Sequence, residues 1–212
     1  MRNADRRLPG DAPTVHLVDD EARVRAALEF LFGSHALPVC AYASGLDLLE
    51  RIQRGPTLQG CILLDVRMEP LSGLQVHDEL VARGIRTPVI FLTGHGDIRM
   101  AVEALKKGAF DFVEKPFGDA ALVERVQDAM VADARQRQRR AEGDILGALL
   151  AGLTQREQQV MRRVTAGKLN KVIADEMNVS MRTVEVYRAR VYAKLGVRTT
   201  AELATLLARC ET

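Results

Sequence analysis

Val15-His16-Leu17-Val18-Asp19-Asp20 and Cys61-Ile62-Leu63-Leu64-Asp65 each carry an apolar run straight into carboxylates. Two other stretches end in the same way on different polar groups: Val89-Ile90-Phe91-Leu92-Thr93 and Phe112-Val113-Glu114-Lys115-Pro116. Short apolar runs alternating with segments of helical spacing read as buried parallel strands between helices. The runs at 14–18, 38–42, 60–64, 87–92 and 110–113 are the expected strands. Helices are expected over 21–32, 44–54, 72–83 and 97–107, with a fifth starting near 118. Ser44, Ser72 and Asp97 stand at N-cap positions, while Gly84 and Gly108 follow the helices they close. Lys106 and Lys107 occupy a last helical turn, where positive charge is favourable. Five such units imply an α/β domain with a mostly parallel five-stranded sheet, helices on both faces, and the less apolar second and fifth runs near its edges.

In that fold Asp19, Asp20, Asp65, Thr93 and Lys115 gather along the carboxyl edge of the sheet, where open α/β sheets bind ligands. Three carboxylates, a hydroxyl and an ammonium suit a divalent cation and a phosphoryl group. A hard cation such as magnesium takes oxygen ligands and keeps several waters; the Arg67 carbonyl offers a further oxygen. A carboxylate can attack phosphorus to form an acyl phosphate, with metal and lysine stabilising the transferring oxygens. A haloacid dehalogenase-type phosphatase would use a similar nucleophile, but needs a second aspartate two residues later, where this chain has Arg67. His95, in Thr93-Gly94-His95-Gly96-Asp97, reads as a polar residue of a glycine-flanked loop rather than as a ligand.

Charge divides the chain of 212 residues. Residues 1–133 hold 15 Lys and Arg against 20 Asp and Glu, a net of −5, and residues 134–212 hold 15 against 8, a net of +7. An acidic half followed by a basic one suggests two domains, the second facing a polyanion. Residues 134–143 form a polar, basic stretch, a solvated helix extension or a linker, read as a spacer rather than as a direct DNA contact, and the apolar residues 145–151 are expected to pack on the second domain. Beyond Leu153 only helices are expected. Thr154-Gln155-Arg156-Glu157 is a capping box opening a helix to about Ala166. Helices follow over 170–177, from a Ser180 cap to Leu195, and over 200–209. Two helices joined by Asn178-Val179-Ser180 make a helix-turn-helix, placed at about 168–187.

On the helix after Ser180, the spacing of Val184, Tyr187, Val191 and Leu195 turns those residues to the core. Arg182, Glu185, Val186, Ala189 and Arg190 then form the outer face that enters a major groove. Arg182 suits guanine, Glu185 the amino group of cytosine, and Val186 and Ala189 a thymine methyl. Lys168, Lys171, Arg188 and Lys194 are read as phosphate contacts, which position without specifying. On the last helix, Ala201, Leu203, Leu206 and Leu207 serve either core packing or a second dimer contact.

The first half resembles the receiver domain of two-component response regulators over residues 14 to about 131. Val18-Asp19-Asp20-Glu21, Leu64-Asp65-Val66-Arg67-Met68, Leu92-Thr93-Gly94 and Glu114-Lys115-Pro116-Phe117 match the four receiver signatures in order. The resemblance implies a flavodoxin-like, doubly wound fold, a phosphoacceptor at Asp65, magnesium held with Asp19 and Asp20, and Thr93 and Lys115 on the phosphoryl oxygens. Phe112 matches the aromatic switch position. One departure stands out: the family's proline four residues after the phosphorylated aspartate is Glu69 here, and the proline is Pro70. Phosphorylation is still expected, with its lifetime left open.

The second half resembles the LuxR-type DNA-binding domain over about 150–210. The resemblance rests on Leu153-Thr154-Gln155-Arg156-Glu157, Asn170-Lys171-Val172-Ile173-Ala174, Thr183-Val184-Glu185-Val186-Tyr187-Arg188 and Lys194-Leu195-Gly196-Val197-Arg198. By this resemblance Thr183 joins the DNA-contacting set. The order of the two modules is that of the NarL/FixJ family, and the loop at 93–97 and the Arg/Gln stretch look closest to the FixJ branch. The expected division is a receiver over 12–131, a helical linker over 132–149 and the DNA-binding module over 150–212.

Taken together these imply a non-enzymatic transcriptional regulator. A sensor histidine kinase would phosphorylate it, and it would then dimerise, bind promoter DNA and work with RNA polymerase, as an activator by family resemblance. The alternative is a DNA-binding regulator independent of phosphorylation. No apolar run approaches the roughly 20 residues of a membrane span, and Met1–Arg7 lacks the apolar stretch of a signal peptide, so a cytoplasmic location is expected. Cys40, Cys61 and Cys210 show no metal-ligand spacing and read as reduced core thiols.

Overall fold

The computed structural model describes residues 12–55, 58–94 and 98–208. Five strands form one parallel sheet: β1 (Thr14–Val18), β2 (Val39–Tyr42), β3 (Gly60–Asp65), β4 (Val89–Thr93) and β5 (Asp111–Glu114), in the order β2-β1-β3-β4-β5. The order doubles back at β1, as in a doubly wound sheet, and the two least apolar runs do lie at the edges. Between the strands run α1 (Ala22–Ser34), α2 (Gly45–Arg54), α3 (Gly73–Ala82) and α4 (Ile98–Lys106), followed by α5 (Asp119–Ala151).

Two apolar layers sandwich the sheet. Leu28 and Phe32 of α1 and Leu122, Val126 and Ala129 of α5 pack with Val15, Leu17, Leu63 and Leu92 on one face. On the other face, Leu48 of α2, Val76 and Leu80 of α3 and Ala104 of α4 pack with Ile62, Leu64 and Phe91. Alternate residues of β3 therefore serve opposite layers, and all six of its residues are buried. Ser44 caps α2, accepting from the Asp47 amide at 3.2 Å. Ser72 and Gln75 close a capping box on α3, while Gly84 and Gly108 adopt the left-handed backbone that ends α3 and α4. The expected cap at Asp97 lies outside the described residues, as do His95 and Cys210.

Close backbone approach explains one glycine. Gly60 has φ +109°, and a Cβ there would stand 2.2 Å from the Thr14 carbonyl oxygen. Its amide donates to the buried Asp133 carboxylate of α5 at 2.8 Å. One expectation needs correction. Cys40 is exposed, because it lies on the edge strand β2, where one side of the ladder has no neighbouring strand; Cys61, on central β3, is buried as expected. Of the two readings of the basic stretch, the helix extension is the one observed: α5 continues through it to Ala151.

The C-terminal unit is wholly helical, with α6 (Gln155–Thr165), α7 (Asn170–Met177), α8 (Met181–Leu195) and α9 (Thr200–Ala208). Its core joins Leu153, Val160, Val164, Ile173, Met177, Val184, Val191, Leu195 and Leu203. The Thr154–Glu157 capping box forms as expected. Asn178 takes the left-handed conformation (φ 52°, ψ 52°) that stops α7, and Ser180 accepts from the Thr183 amide at 3.1 Å to start α8. Leu203, Leu206 and Leu207 all pack on this core, which assigns that face of α9 to folding; Ala201 is exposed.

Candidate functional site: an acidic crevice and a DNA-facing helix

The carboxyl ends of β1, β3, β4 and β5 bring most of the expected residues together. Asp19 and Asp65 are buried, at 0% and 7% exposure, just beyond β1 and at the end of β3. Lys115 spans them, its Nζ donating to Asp65 Oδ1 at 2.6 Å and Asp19 Oδ2 at 3.1 Å. The ladder secures this meeting: the Lys115 amide donates to the Thr93 carbonyl at 2.7 Å, and the Val66 amide to the Leu92 carbonyl at 3.0 Å. Each acid is oriented by a backbone amide two residues on, Glu21 N–H to Asp19 Oδ1 and Arg67 N–H to Asp65 Oδ2, at 2.9 and 2.8 Å.

Burial raises the Asp65 pKa, and the Asp19 charge adds to this; Lys115 and the Arg67 amide pull it back. Burial alone would lower Lys115, but the hydrogen bond and charge of Asp65, with those of Asp19, outweigh it and keep the ammonium protonated. One cation therefore holds two carboxylates in a water-poor crevice. The Thr93 side chain is buried at its edge, and among the described residues its hydroxyl has no hydrogen-bond partner.

Asp20 stands apart, with an exposed side chain. Among the described residues no three His, Cys, Asp or Glu side chains form a metal-ligand cluster. Two carboxylates and the oxygens around them still make a hard donor set, which suits a magnesium ion that keeps most of its waters. Phe112 on β5 is half-buried, in register with Phe91 and packed against the α2–α4 layer. Glu69 is exposed, next to a cis Glu69–Pro70 bond, and is not a partner of Asp65.

Two contributors were invisible in the motif reading. Arg25, in the first turns of α1, donates from Nη1 to the carbonyls of Asp19 (2.7 Å) and Asp20 (2.9 Å), fixing the acidic loop. Its sequence signal was only a basic residue six positions after an acidic pair. Gly73 lets α3 start against the end of β3: a Cβ there would lie 2.1 Å from the Asp65 carbonyl oxygen.

In the C-terminal unit, Val184, Val191 and Leu195 are buried and Tyr187 partly so, as expected of the inner face. Arg182, Glu185, Val186, Ala189 and Arg190 are exposed on α8, and Lys168 and Lys171 are exposed near the start of α7. Several residues expected at phosphates also have partners within the chain. Arg188 donates to Asn170 Oδ1 (2.6 Å), the Tyr192 hydroxyl (2.9 Å) and the Thr200 hydroxyl (3.2 Å), tying α7, α8 and α9 together. Lys194 donates to buried Glu157 at 2.7 Å and to the Gly152 carbonyl at 3.1 Å. Lys168 bridges to Glu176, which also takes Arg163 at 2.8 Å. Thr183 shares a hydroxyl contact of 2.8 Å with Ser180 at the helix cap. Arg182, Lys171 and Arg190 have no ion pair among the described residues.

Comparison with known proteins agrees with both halves. The response regulator receiver domain family matches residues 15–127, and the luxR family of bacterial regulatory proteins matches 151–207. The chain is 46% identical over 195 residues to the C4-dicarboxylate transport transcriptional regulatory protein DctR of Rhodobacter capsulatus, covering 91% of this chain and 98% of that one. It is 45% identical over 197 residues to the transcriptional regulatory protein FixJ of Azorhizobium caulinodans, covering 92% of each. Among solved structures, the response regulator StyR superposes with a TM-score of 0.85 at 38% identity, over 93% of this chain and 98% of that one. No helix among the described residues is long and apolar enough to cross a membrane.

Proposed function

The chain belongs to the NarL/FixJ family of two-component transcriptional response regulators, and we propose that its signal is written on Asp65. The single observation that carries this reading is the pairing of a buried carboxylate, held by Lys115, with the Thr93 hydroxyl, which has no partner among the described residues. A phosphoryl group on Asp65 would bring the acceptor oxygens that this hydroxyl lacks.

The Asp65 carboxylate attacks the phosphorus of a phosphohistidine on a sensor kinase; a P–O bond forms as the P–N bond breaks, and the imidazole leaves. Asp19, Asp20, Asp65 and the Arg67 carbonyl would hold magnesium, which when bound neutralises charge on the transferring oxygens. Lys115 exchanges part of its contact with Asp65 for a phosphoryl oxygen, and the Thr93 hydroxyl donates to another. Thr93 moving toward the phosphoryl group frees room for half-buried Phe112 to turn inward, changing the face formed by α4, β5 and α5. That face pairs two receivers, and two helix-turn-helix modules then reach half-sites about one helical turn apart. At the promoter, Arg182, Glu185, Val186, Ala189 and Arg190 face bases and backbone, Lys171 and Lys168 face phosphates, and the bound dimer recruits RNA polymerase as an activator. The receiver is a phosphoryl store rather than an enzyme, and the protein works in the cytoplasm, where kinase and promoter are both within reach.

Asp65→Asn in the full chain should take up no label from radiolabelled acetyl phosphate with magnesium and gain no DNA affinity under phosphorylating conditions. Labelling that persists would move the acceptor elsewhere. Equal promoter binding by unphosphorylated and phosphorylated parent protein would make this a regulator independent of phosphorylation.

A further inference from the structure

The C-terminal end of α5 has two apolar sides. On one, Leu146 is buried and Leu150 packs with Leu153 on the core of the DNA-binding module. On the other, Ile145 is 62% exposed and Leu149 37%, beside exposed Ala141 and Ala148. The second set follows a heptad: Gln138 and Ile145 take position a, Ala141 and Ala148 position d, and Leu149 position e. Leu146 and Leu150 fall at b and f, on the far side of the helix, so packing on the module leaves the a/d seam uncovered. Gly143 and Gly147 lie within the same two heptads. Glycine in a helix interior weakens it, and a short helix exposed on one side gains little from propensity alone.

We propose that this seam pairs with the same seam of a second copy of the chain, as a short parallel two-stranded coiled coil over residues 137–151. Three observations favour a second copy over another partner. The a/d phase holds through the segment, and in the sequence it extends back to Val131 and Ala134. A lone polar residue at an a position, here Gln138, whose amide donates to Glu142 Oε1 of its own helix at 3.0 Å, disfavours slipped pairings. Arg137 at g and Glu142 at e are opposite in charge, and in a parallel pair each g residue faces the e residue five positions on in the other helix, giving the contact twice by symmetry. Alanine at both d positions lets the backbones approach closely. The seam does not depend on the role of Asp65. Being short, it pairs only transiently in the free chain, where oxidation can trap it, and DNA or paired receivers raise the effective concentration of the two helices further.

The test uses the full chain without phosphoryl donor, comparing Ile145→Cys with Arg140→Cys, an exposed position on the side away from the seam; the native thiols are common to both. Under mild oxidation Ile145→Cys should form disulfide-linked dimer at least ten-fold faster than Arg140→Cys. Adding Arg137→Glu should slow that reaction, and adding Glu142→Arg as well should restore it. Equal rates for the two cysteine variants would overturn the proposal. So would slow self-linking of Ile145→Cys with fast cross-linking between Ile145→Cys and Ala141→Cys chains, the signature of an antiparallel pair.

Discussion

A buried hydroxyl without a partner costs about 1–3 kcal/mol, and among the described residues Thr93 carries one at the edge of the Asp65 crevice. Replacing it by valine keeps the shape and removes the unsatisfied group. Thr93→Val should therefore leave receiver stability in urea unchanged or raise it by about 1 kcal/mol, while the phosphorylated variant loses the gain in DNA affinity. A variant that still switches would take Thr93 out of the relay. His16 works in the opposite sense. Burial lowers its pKa from 6.5 to about 4, with Arg51 contributing and the Gln59 carbonyl and Asp133 opposing. The unfolded chain then binds more protons between those two values, so stability is full above pH 6.5 and is lost as pH falls toward 4, by roughly 3 kcal/mol. In His16→Gln the slope of receiver stability over that interval should flatten; an unchanged slope would assign it to other groups. The acids of the crevice were legible because each directly follows an apolar strand. Arg25 and Arg188 were not, because their partners are set by folding: Arg25 reaches back to backbone carbonyls, and Arg188 reaches 18 residues to Asn170 and 12 to Thr200.

Each helix of the DNA-binding module starts and stops on a small number of groups. Ser180→Ala removes the cap of α8 and should cost about 1 kcal/mol of module stability, seen as a lower urea midpoint for that unit. Lys171→Ala should leave stability unchanged, weaken binding to every DNA sequence and reduce the salt slope by about 1. Arg182→Ala should instead change which sequence is preferred, and a uniform loss for Arg182→Ala would exclude it from base readout. Caps and strand runs were readable because they are local: Ser44, Ser72, Thr154 and Ser180 all cap where the pattern placed them. The length of α5 was not. Between Arg135 and Arg140 no apolar stripe distinguishes a continuing helix from a solvated tether, so helical continuity there is set by the packed residues at its two ends. The exposure of Cys40 was hidden for another reason: the edge position of its strand was legible, but not which of its side chains would be left uncovered.

At the scale of the whole molecule, three apolar clusters fall into two units, Met1–Gln136 with two and Arg137–Thr212 with one. The full chain should therefore unfold in two transitions. His16→Gln should alter the pH response of one only, and Ser180→Ala should move the other; a single transition displaced by both would mean the two units unfold together. Charge is divided along the same line, the receiver acidic and the DNA-binding module basic. The guanidinium of Arg188 has a further consequence. By anchoring α7 and α9 to the inner side of α8, it gives folding and the proposed base reading separate residues on one helix. Substitutions at Arg182, Glu185 or Val186 would change that proposed reading side without touching those anchors. Descendants of this chain could thus drift to new operators without first accumulating compensating mutations, and promoter choice becomes the trait most free to diverge.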